Sequence, residues 1–197
     1  PLAKQLLTHM GITYFEIDNY EADDIIGTFA KFCEEDENYT GTIISSDKDL
    51  LQLITKTVDI KLLKSKDYIR YNEDSFKEDY GIEPINIIDL KALMGDASDN
   101  IPGVKGIGEK TALKLLQQYK TLDGIYDNID KIKGATKIKL EDGKKDAYYS
   151  RELVTIYRDV PLDDITFDDL KYTGENADEI IDIFNDLGFY SFLKKIE

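Results

Sequence analysis

Cysteine and histidine are nearly absent from this 197-residue chain, which has only Cys33 and His9. A single cysteine excludes an internal disulfide and a cysteine-built zinc site. His9 lies within "PLAKQLLTHM", an ordinary helical stretch in which a structural role is expected. No run is apolar enough to span a membrane, and no basic-then-apolar leader is present. With 42% hydrophobic and 33% charged residues, the composition is that of a soluble globular protein. A reducing, cytoplasmic setting without a membrane partner is expected. The length suits one sizeable domain, or a domain with a helical appendage.

Positive charge is also scarce, since the formal net charge is −15. Taken as a total, that speaks against a nucleic-acid partner. Its distribution says something different. Residues 131–145, "KIKGATKIKLEDGKK", carry six Lys against Glu141 and Asp142. Residues 103–120 add Lys105, Lys110, Lys114 and Lys120 against Glu109 alone, whereas residues 21–49 hold nine acids against Lys31 and Lys48. A basic middle beside an acidic pocket suits a protein that grips a polyanion with one part and metal cations with another. Lysine-rich helices are also ordinary solvated faces, so charge alone leaves both readings open.

The first hundred residues alternate between two periods. "PLAKQLLTHM" and "EADDIIGTFAKFCEE" predict helices, the second with Ala22, Ile25, Ile26, Phe29, Ala30 and Cys33 facing inward. "ITYFEI" and "GTIISS" predict strands, the latter buried, and "DKDLLQLI" a short helix. "VDIKLLK" and "YIRYN" predict two more strands around the turn "SKD". This alternation implies an α/β fold with a mainly parallel sheet and flanking helices. From Glu73 onward the patterns are helical: "EDSFKEDYG", "PINIIDLKALMG", "LDGIYDNI", "KKDAYYSRELVTIY" and "ADEIIDIFNDLGF". Pro84 and Gly95 stand where a helix starts and stops. We therefore expect an α/β core over residues 1–95 and a helical region over 96–197. The chain opens on Pro1 and a helix, with no initiator Met and no preceding strand, which points to a fragment.

Three carboxylate clusters stand out: Glu21, Asp23 and Asp24; Asp47 and Asp49; Asp96 and Asp99. The first two follow the strands "ITYFEI" and "GTIISS", and the carboxyl ends of parallel strands line the ligand crevice of an open sheet. Each cluster also has a capping explanation, such as a box between Ser46 and Asp49 or turn chemistry in "GDASDN". Seven carboxylates converging on one crevice would destabilise it unless cations neutralise them. Oxygen-only ligands select hard ions, Mg²⁺ or Mn²⁺.

"GVKGIGEKTALKLLQQY" puts Gly103, Gly106 and Gly108 ahead of a helix with the apolar stripe Ala112, Leu113, Leu115 and Leu116. Gly103 and Gly108 have Walker A spacing, but Glu109 intervenes before Lys110 and Thr111. The dinucleotide fingerprint lacks its third glycine, and no strand precedes the loop. A tight Gly-rich hairpin between two helices is suited to a DNA phosphate, held by the N–H groups of Gly106 to Gly108 and flanked by Lys105 and Lys110.

"YEADDIIGTFA", "SSDKDLLQLI" and "LMGDASDNIPGVKGIGEKTALKLL" together resemble the motifs of the 5′-nuclease superfamily. Within it they are most similar to the 5′→3′ exonuclease domain at the N-terminus of bacterial DNA polymerase I. "SRELVTIYRDVPL" resembles a later stretch of that domain, so the likeness covers essentially the whole chain. It implies a sheet-based nuclease core, a helix–hairpin–helix element and hydrolysis of DNA with a free or flapped 5′ end. It also implies two divalent ions, one at Glu21, Asp23 and Asp24 and the other at Asp47, Asp49, Asp96 and Asp99. Glu21, Asp23, Asp47 and Asp49 would then serve catalysis through the bound metals. Gly103, Lys105, Gly106, Gly108, Lys110 and Thr111 would hold DNA, with K⁺ at the hairpin. A polymerase region C-terminal to the domain is the implied covalent partner. The family's first strand, its Asp pair and its basic arch have no counterpart here, so the N-terminal third of the domain is expected to be missing. Two rival readings are a DNA-binding module without chemistry and a phosphatase built on "DKD". The phosphatase motif lacks its following Thr.

Overall fold

A computed structural model describes residues 2–36, 38–162 and 165–195. They divide into two compact units, Glu21–Val160 and a smaller one formed by the two chain ends.

The larger unit begins with α2 (Ala22–Glu35), after α1 (Leu2–His9) of the smaller one. The α2 start is closed by Asp24, whose Oδ2 accepts the Glu21 N–H at 3.1 Å, so a carboxylate satisfies an otherwise unpaired donor at the helix entrance. Ile25, Ala30 and Cys33 form its buried stripe, while Ala22, expected inward, is exposed. The strands β1 (Gly41–Ser45), β2 (Val58–Leu63) and β3 (Tyr68–Tyr71) make one three-stranded sheet in the order β1-β2-β3.

The sheet is mixed rather than mainly parallel. β1 and β2 run parallel, with Gly41 opposite Val58, and β2 and β3 run antiparallel, with Leu63 opposite Tyr68. Connection length explains the difference. Parallel pairing needs a crossover of about a dozen residues, and the segment with the 3-10 turn Asp49–Leu53 supplies it between β1 and β2. Residues 64–67 form only a tight turn, closed by Lys64 N–H to Asp67 O at 2.7 Å, so β3 must double back. β1 is not the buried strand its apolar content suggests, because Ile44 is 61% exposed.

The predicted strand "ITYFEI" is irregular, and neither it nor any other part of residues 12–17 joins the sheet. Its local anchors are Ile12 N–H to Leu7 O and Thr13 Oγ1 to Asp169 O, at 2.9 Å each. Alternating apolar residues define a strand only where a ladder partner exists, and here none is offered. The smaller unit also holds α9 (Ala177–Asp186) and α10 (Tyr190–Leu193), with His9 facing Glu179 across 3.8 Å. No described helix is long and apolar enough to cross a membrane.

After the sheet the larger unit is helical, with α3 (Glu73–Tyr80), α4 (Ile87–Met94), α5 (Glu109–Tyr119), α6 (Leu122–Asp127), α7 (Ala135–Asp142) and α8 (Lys144–Val154). Asn72 and Ser75 cap α3 reciprocally, each accepting the other's N–H at 2.9 to 3.0 Å, and Gly81 ends it in the left-handed conformation. α7 falls in the Lys-rich stretch and has no apolar stripe to announce it. The centre of this unit is α4, which packs against α5 and α8 and buries Ile87, Asp89, Leu90, Lys91, Ala92 and Leu93. Polar groups buried on such a helix need partners. Asp89 has one in the Leu122 N–H at 2.9 Å, which joins α4 to the start of α6. Burial still pushes the Asp89 carboxyl above the usual range. The partners of Lys91 lie at the acidic site.

Candidate active site and nucleic-acid interface

Acids from all three sequence clusters act on one another. The Asp23 carboxyl is raised first by its burial and then by the charges of Asp47, Glu21, Asp24 and Asp99. Asp23 and Asp24 stand in the first turn of α2, and Asp47 lies between β1 and the 3-10 turn. Asp99 lies in a loop closed by the Asp96–Ile101 bridge, with reciprocal backbone hydrogen bonds of 3.0 and 2.8 Å. The turn at Asp47 is held by two hydrogen bonds: Ser45 Oγ accepts the Asp47 N–H at 3.0 Å, and Asp47 Oδ1 accepts the Asp49 N–H at 2.8 Å. The expected Ser46–Asp49 capping box does not form, since Lys48 occupies the N-cap without a side-chain cap.

Asp49 and Asp96 have a different environment. Both pair with the Lys91 ammonium, Asp96 Oδ2 at 2.7 Å. Lys91 and the Ser98 donors hold the Asp96 carboxyl down at about 2. Asp49 Oδ1 is buried with Lys91 as its ion-pair partner and no hydrogen bond. Asp47 and Asp99 thus act on Asp23, while Asp49 and Asp96 share a lysine. Sequence reading missed Lys91. Its available signal was a cation inside "IIDLKALM", a helix too apolar to solvate it.

Among the described residues no three acids stand close enough to enclose one ion. The donor set nevertheless fits a hard divalent cation. Mg²⁺ is commonly held by one or two carboxylates, with waters and substrate phosphate oxygens completing its shell. The raised Asp23 is the pressure a bound cation relieves. Asp24 has a structural share as well, because its Oδ1 accepts the Tyr157 N–H at 3.1 Å.

The three glycines of the hairpin do different jobs. Gly103, expected to hold DNA with the rest of the hairpin, donates its N–H to the buried Ser150 Oγ at 3.0 Å. Its φ is +58°, and a Cβ there would meet Gly95 Cα at 2.6 Å and the Met94 carbonyl carbon at 2.7 Å. Gly103 lets the hairpin lie on the end of α4, backbone against backbone. Gly106, with φ +81°, carries the stem of Lys139, whose Nζ donates to the Gly106 carbonyl at 2.9 Å. Gly108 is the N-cap of α5, has open space around it and offers no side-chain cap. The first N–H groups of α5 are therefore presented beside the exposed Lys105 and Lys110, with Thr111 half-buried. Neither lysine pairs with an acid among the described residues. Much of the 131–145 stretch is spoken for: Lys137 by Asp130 and Glu141, Lys139 by Gly106, and Lys144 by the rings of Tyr126 and Tyr148.

The chain matches the sequence of the 5′-3′ exonuclease N-terminal resolvase-like domain over residues 1–81 and of the 5′-3′ exonuclease C-terminal SAM fold over residues 82–178. It is 46% identical over 200 residues to DNA polymerase I of Bacillus caldotenax and 43% identical over 199 residues to that of Bacillus subtilis, with all of this chain covered each time. It spans only 23% and 22% of those relatives. A structure described as bacteriophage T5 5′-exonuclease with bound divalent metal ions (zinc) superimposes with a TM-score of 0.61 at 25% identity, over 87% of this chain and 60% of that one. The catalytic core of Rad2 in complex with DNA substrate shares the fold, with a TM-score of 0.66 at 17% identity over 94% of this chain and 63% of that one. Two adjoining matches cover residues 1–178, with the acids and the hairpin inside them, and the chain belongs to the 5′-3′ exonuclease family.

Proposed function

We propose that this chain is a structure-specific 5′ nuclease domain that hydrolyses DNA phosphodiesters at 5′ ends or flaps in replication and repair. The observation that carries this reading is the convergence of acids from three separate chain segments, the first turn of α2, the turn at Asp47 and the Asp96–Ile101 loop, around Asp23. Glu21, Asp23, Asp24, Asp47, Asp49, Asp96 and Asp99 would hold two divalent ions, Mg²⁺ or Mn²⁺. When bound, such ions stabilise the developing charge on attacking and leaving oxygens. This chain's own contribution is to aim the carboxylates, with Lys91 bridging Asp49 and Asp96 and holding Asp96 ionised. The uncapped start of α5, with Gly106, Gly108, Lys105, Lys110 and Thr111, would grip backbone phosphates. A K⁺ at the hairpin would find the Gly106 carbonyl engaged by Lys139. On this reading residues 1–95 supply most of the acids and residues 96–197 the DNA grip, with Asp96 and Asp99 across the boundary. The domain would work in the cytoplasm, joined to a polymerase region as in its relatives.

Cleavage of a 5′-labelled flap DNA with Mn²⁺ or with EDTA, alongside Asp47→Ala, tests the reading. Metal-dependent cleavage that disappears in Asp47→Ala, with DNA affinity in EDTA unchanged, is the expected result. Cleavage in EDTA, or an Asp47→Ala variant as active as the parent, overturns it. Salt-sensitive binding without cleavage supports the second reading, a DNA-holding module. The pairing of Asp49 and Asp96 with the single Lys91 ammonium, which offsets one of their two charges, favours that alternative.

A further inference from the structure

We infer that Gln52 is a positioning residue that sets Asp49 against Asp24 by clamping the strap of residues 154–160; this rests on the metal-site reading above. Gln52 is 4% exposed and stands in the same 3-10 turn as Asp49. Both ends of its amide are used by the strap. Its Nε2 donates to the Val154 carbonyl at 2.9 Å, satisfying an orphan acceptor at the end of α8. Its Oε1 accepts the Ile156 N–H at 3.0 Å. One side chain thus ties residues more than a hundred positions apart in the sequence.

The next residues of the strap grip α2. Tyr157 N–H donates to Asp24 Oδ1 at 3.1 Å, Arg158 Nε to Gly27 O at 3.2 Å, and Val160 N–H to Thr28 Oγ1 at 3.1 Å. The packing at Gly27 is independent evidence for this fit. A Cβ there would lie 2.8 Å from Ile156 Cγ2 and 3.2 Å from Arg158 Cγ. A glycine inside a helix costs about 1 kcal/mol against alanine, and here the strap occupies the space that an alanine would need. The turn bearing Asp49 and the helix bearing Asp23 and Asp24 touch the same seven-residue segment. Gln52 fixes one end of it, Asp24 itself receives the middle at Tyr157, and Thr28 holds the far end. Hydrogen bonds that orient metal-binding carboxylates without touching the ion typically matter 10–100-fold to metal affinity.

Mn²⁺ binding to the parent chain, followed by the electron paramagnetic resonance signal of the free ion, provides a readout independent of activity. Gln52→Met keeps the volume and loses both hydrogen bonds. It is expected to weaken Mn²⁺ binding about tenfold while DNA affinity in EDTA stays at the parent value. Ile156→Pro keeps Gln52 and removes the donor that its Oε1 accepts, along with the Ile156 side chain beside Gly27. Thr155 before it is already extended (φ −79°, ψ 115°), as a residue preceding proline must be. This second variant should weaken Mn²⁺ in the same direction, and it serves if Gln52→Met does not fold. Thr28→Val is the control, since it loosens the far end of the strap and should lower the melting temperature without moving Mn²⁺ affinity. Parent-like Mn²⁺ binding in both Gln52→Met and Ile156→Pro overturns the positioning role and leaves the metal site standing. An equal loss in Thr28→Val also overturns it, because general loosening would then explain everything. A parent that binds no Mn²⁺ overturns the metal site and the positioning role together.

Discussion

Gly103→Ala and Gly108→Ala are the same substitution five residues apart, and they should fail in opposite ways. At Gly103 an alanine must hold φ near +58°, which costs about 1–2 kcal/mol for a residue with a Cβ. Its methyl would also press on Gly95 Cα and the Met94 carbonyl carbon at 2.6 and 2.7 Å. Those are backbone atoms at the end of α4, so they cannot rotate away, and overpacking of this kind adds about 1–3 kcal/mol. A total of about 3 kcal/mol lowers the melting temperature of a chain this size by about 6–12 °C. At Gly108 φ is −103° and nothing lies within 4 Å of the added methyl. Losing a glycine N-cap costs about 1 kcal/mol there, or about 2–4 °C. The same methyl stands at the mouth of α5, where a phosphate would bind, so DNA affinity in EDTA should fall. Its salt slope should flatten by about 0.9, the loss of one phosphate contact. Thermal unfolding and fluorescence anisotropy of labelled duplex, on both variants, separate the cases. A Gly103→Ala variant that melts with the parent but binds DNA poorly would refute the division of labour argued here.

Other consequences follow from the charges. Lys91→Met strands Asp49 and Asp96 without their shared cation, at a cost of about 3 kcal/mol. Mn²⁺ should raise the melting temperature more in that variant than in the parent, and an unchanged metal-free melt would count against the pairing. Asp96 sits at about 2 in the fold against about 3.9 unfolded. Its contribution, about 2.6 kcal/mol, is therefore present above pH 4 and lost as pH falls towards 2. Acid titration of stability should show this limb in the parent and a smaller one in Lys91→Met, where the Ser98 donors remain. Asp23 has the opposite sign, since a raised carboxyl stabilises below its unfolded value and loses that stability as pH rises through its folded one. Asp23→Asn should thus melt higher than the parent at pH 7 without metal, and lower or equal stability would refute the crowding of charge around it. Lys105→Ala should flatten the salt slope of DNA binding by about 0.9 with no change in melting temperature, and a parent-like slope would remove Lys105 from the interface.

The parts of this fold that were legible in the sequence are those that local chemistry decides. Helices with clear stripes and stops, such as α2, α4 up to Gly95, and α5 after Gly108, stand where the pattern put them. The sheet was less legible because its pairing depends on connection length and on partners. The turn at residues 64–67 forces β3 antiparallel, and residues 12–17 have strand-like composition without a neighbour to complete a ladder. α7 was invisible because "ATKIKLED" is charged on nearly every face and buries only Leu140.

The candidate site divides along the same line. Its carboxylates could be read because acids crowded beside turns raise the question of what neutralises them. The groups that aim those carboxylates could not, because their roles exist only after folding. Lys91 and Gln52 are polar residues within the runs "IIDLKALM" and "DLLQLI", where periodicity records only the apolar partners. Yet both runs are apolar on more faces than a surface element needs, so a polar side chain within them has to find a buried partner. For Lys91 that partner is a pair of carboxylates, and for Gln52 it is the backbone that also holds Asp24. A polar residue inside such a run thus announces a buried partner that the fold must supply, whereas the position of Gly103 in a phosphate-like loop gave no sign that its N–H goes to Ser150. The run states a cost that the fold must repay, and the loop states only a shape.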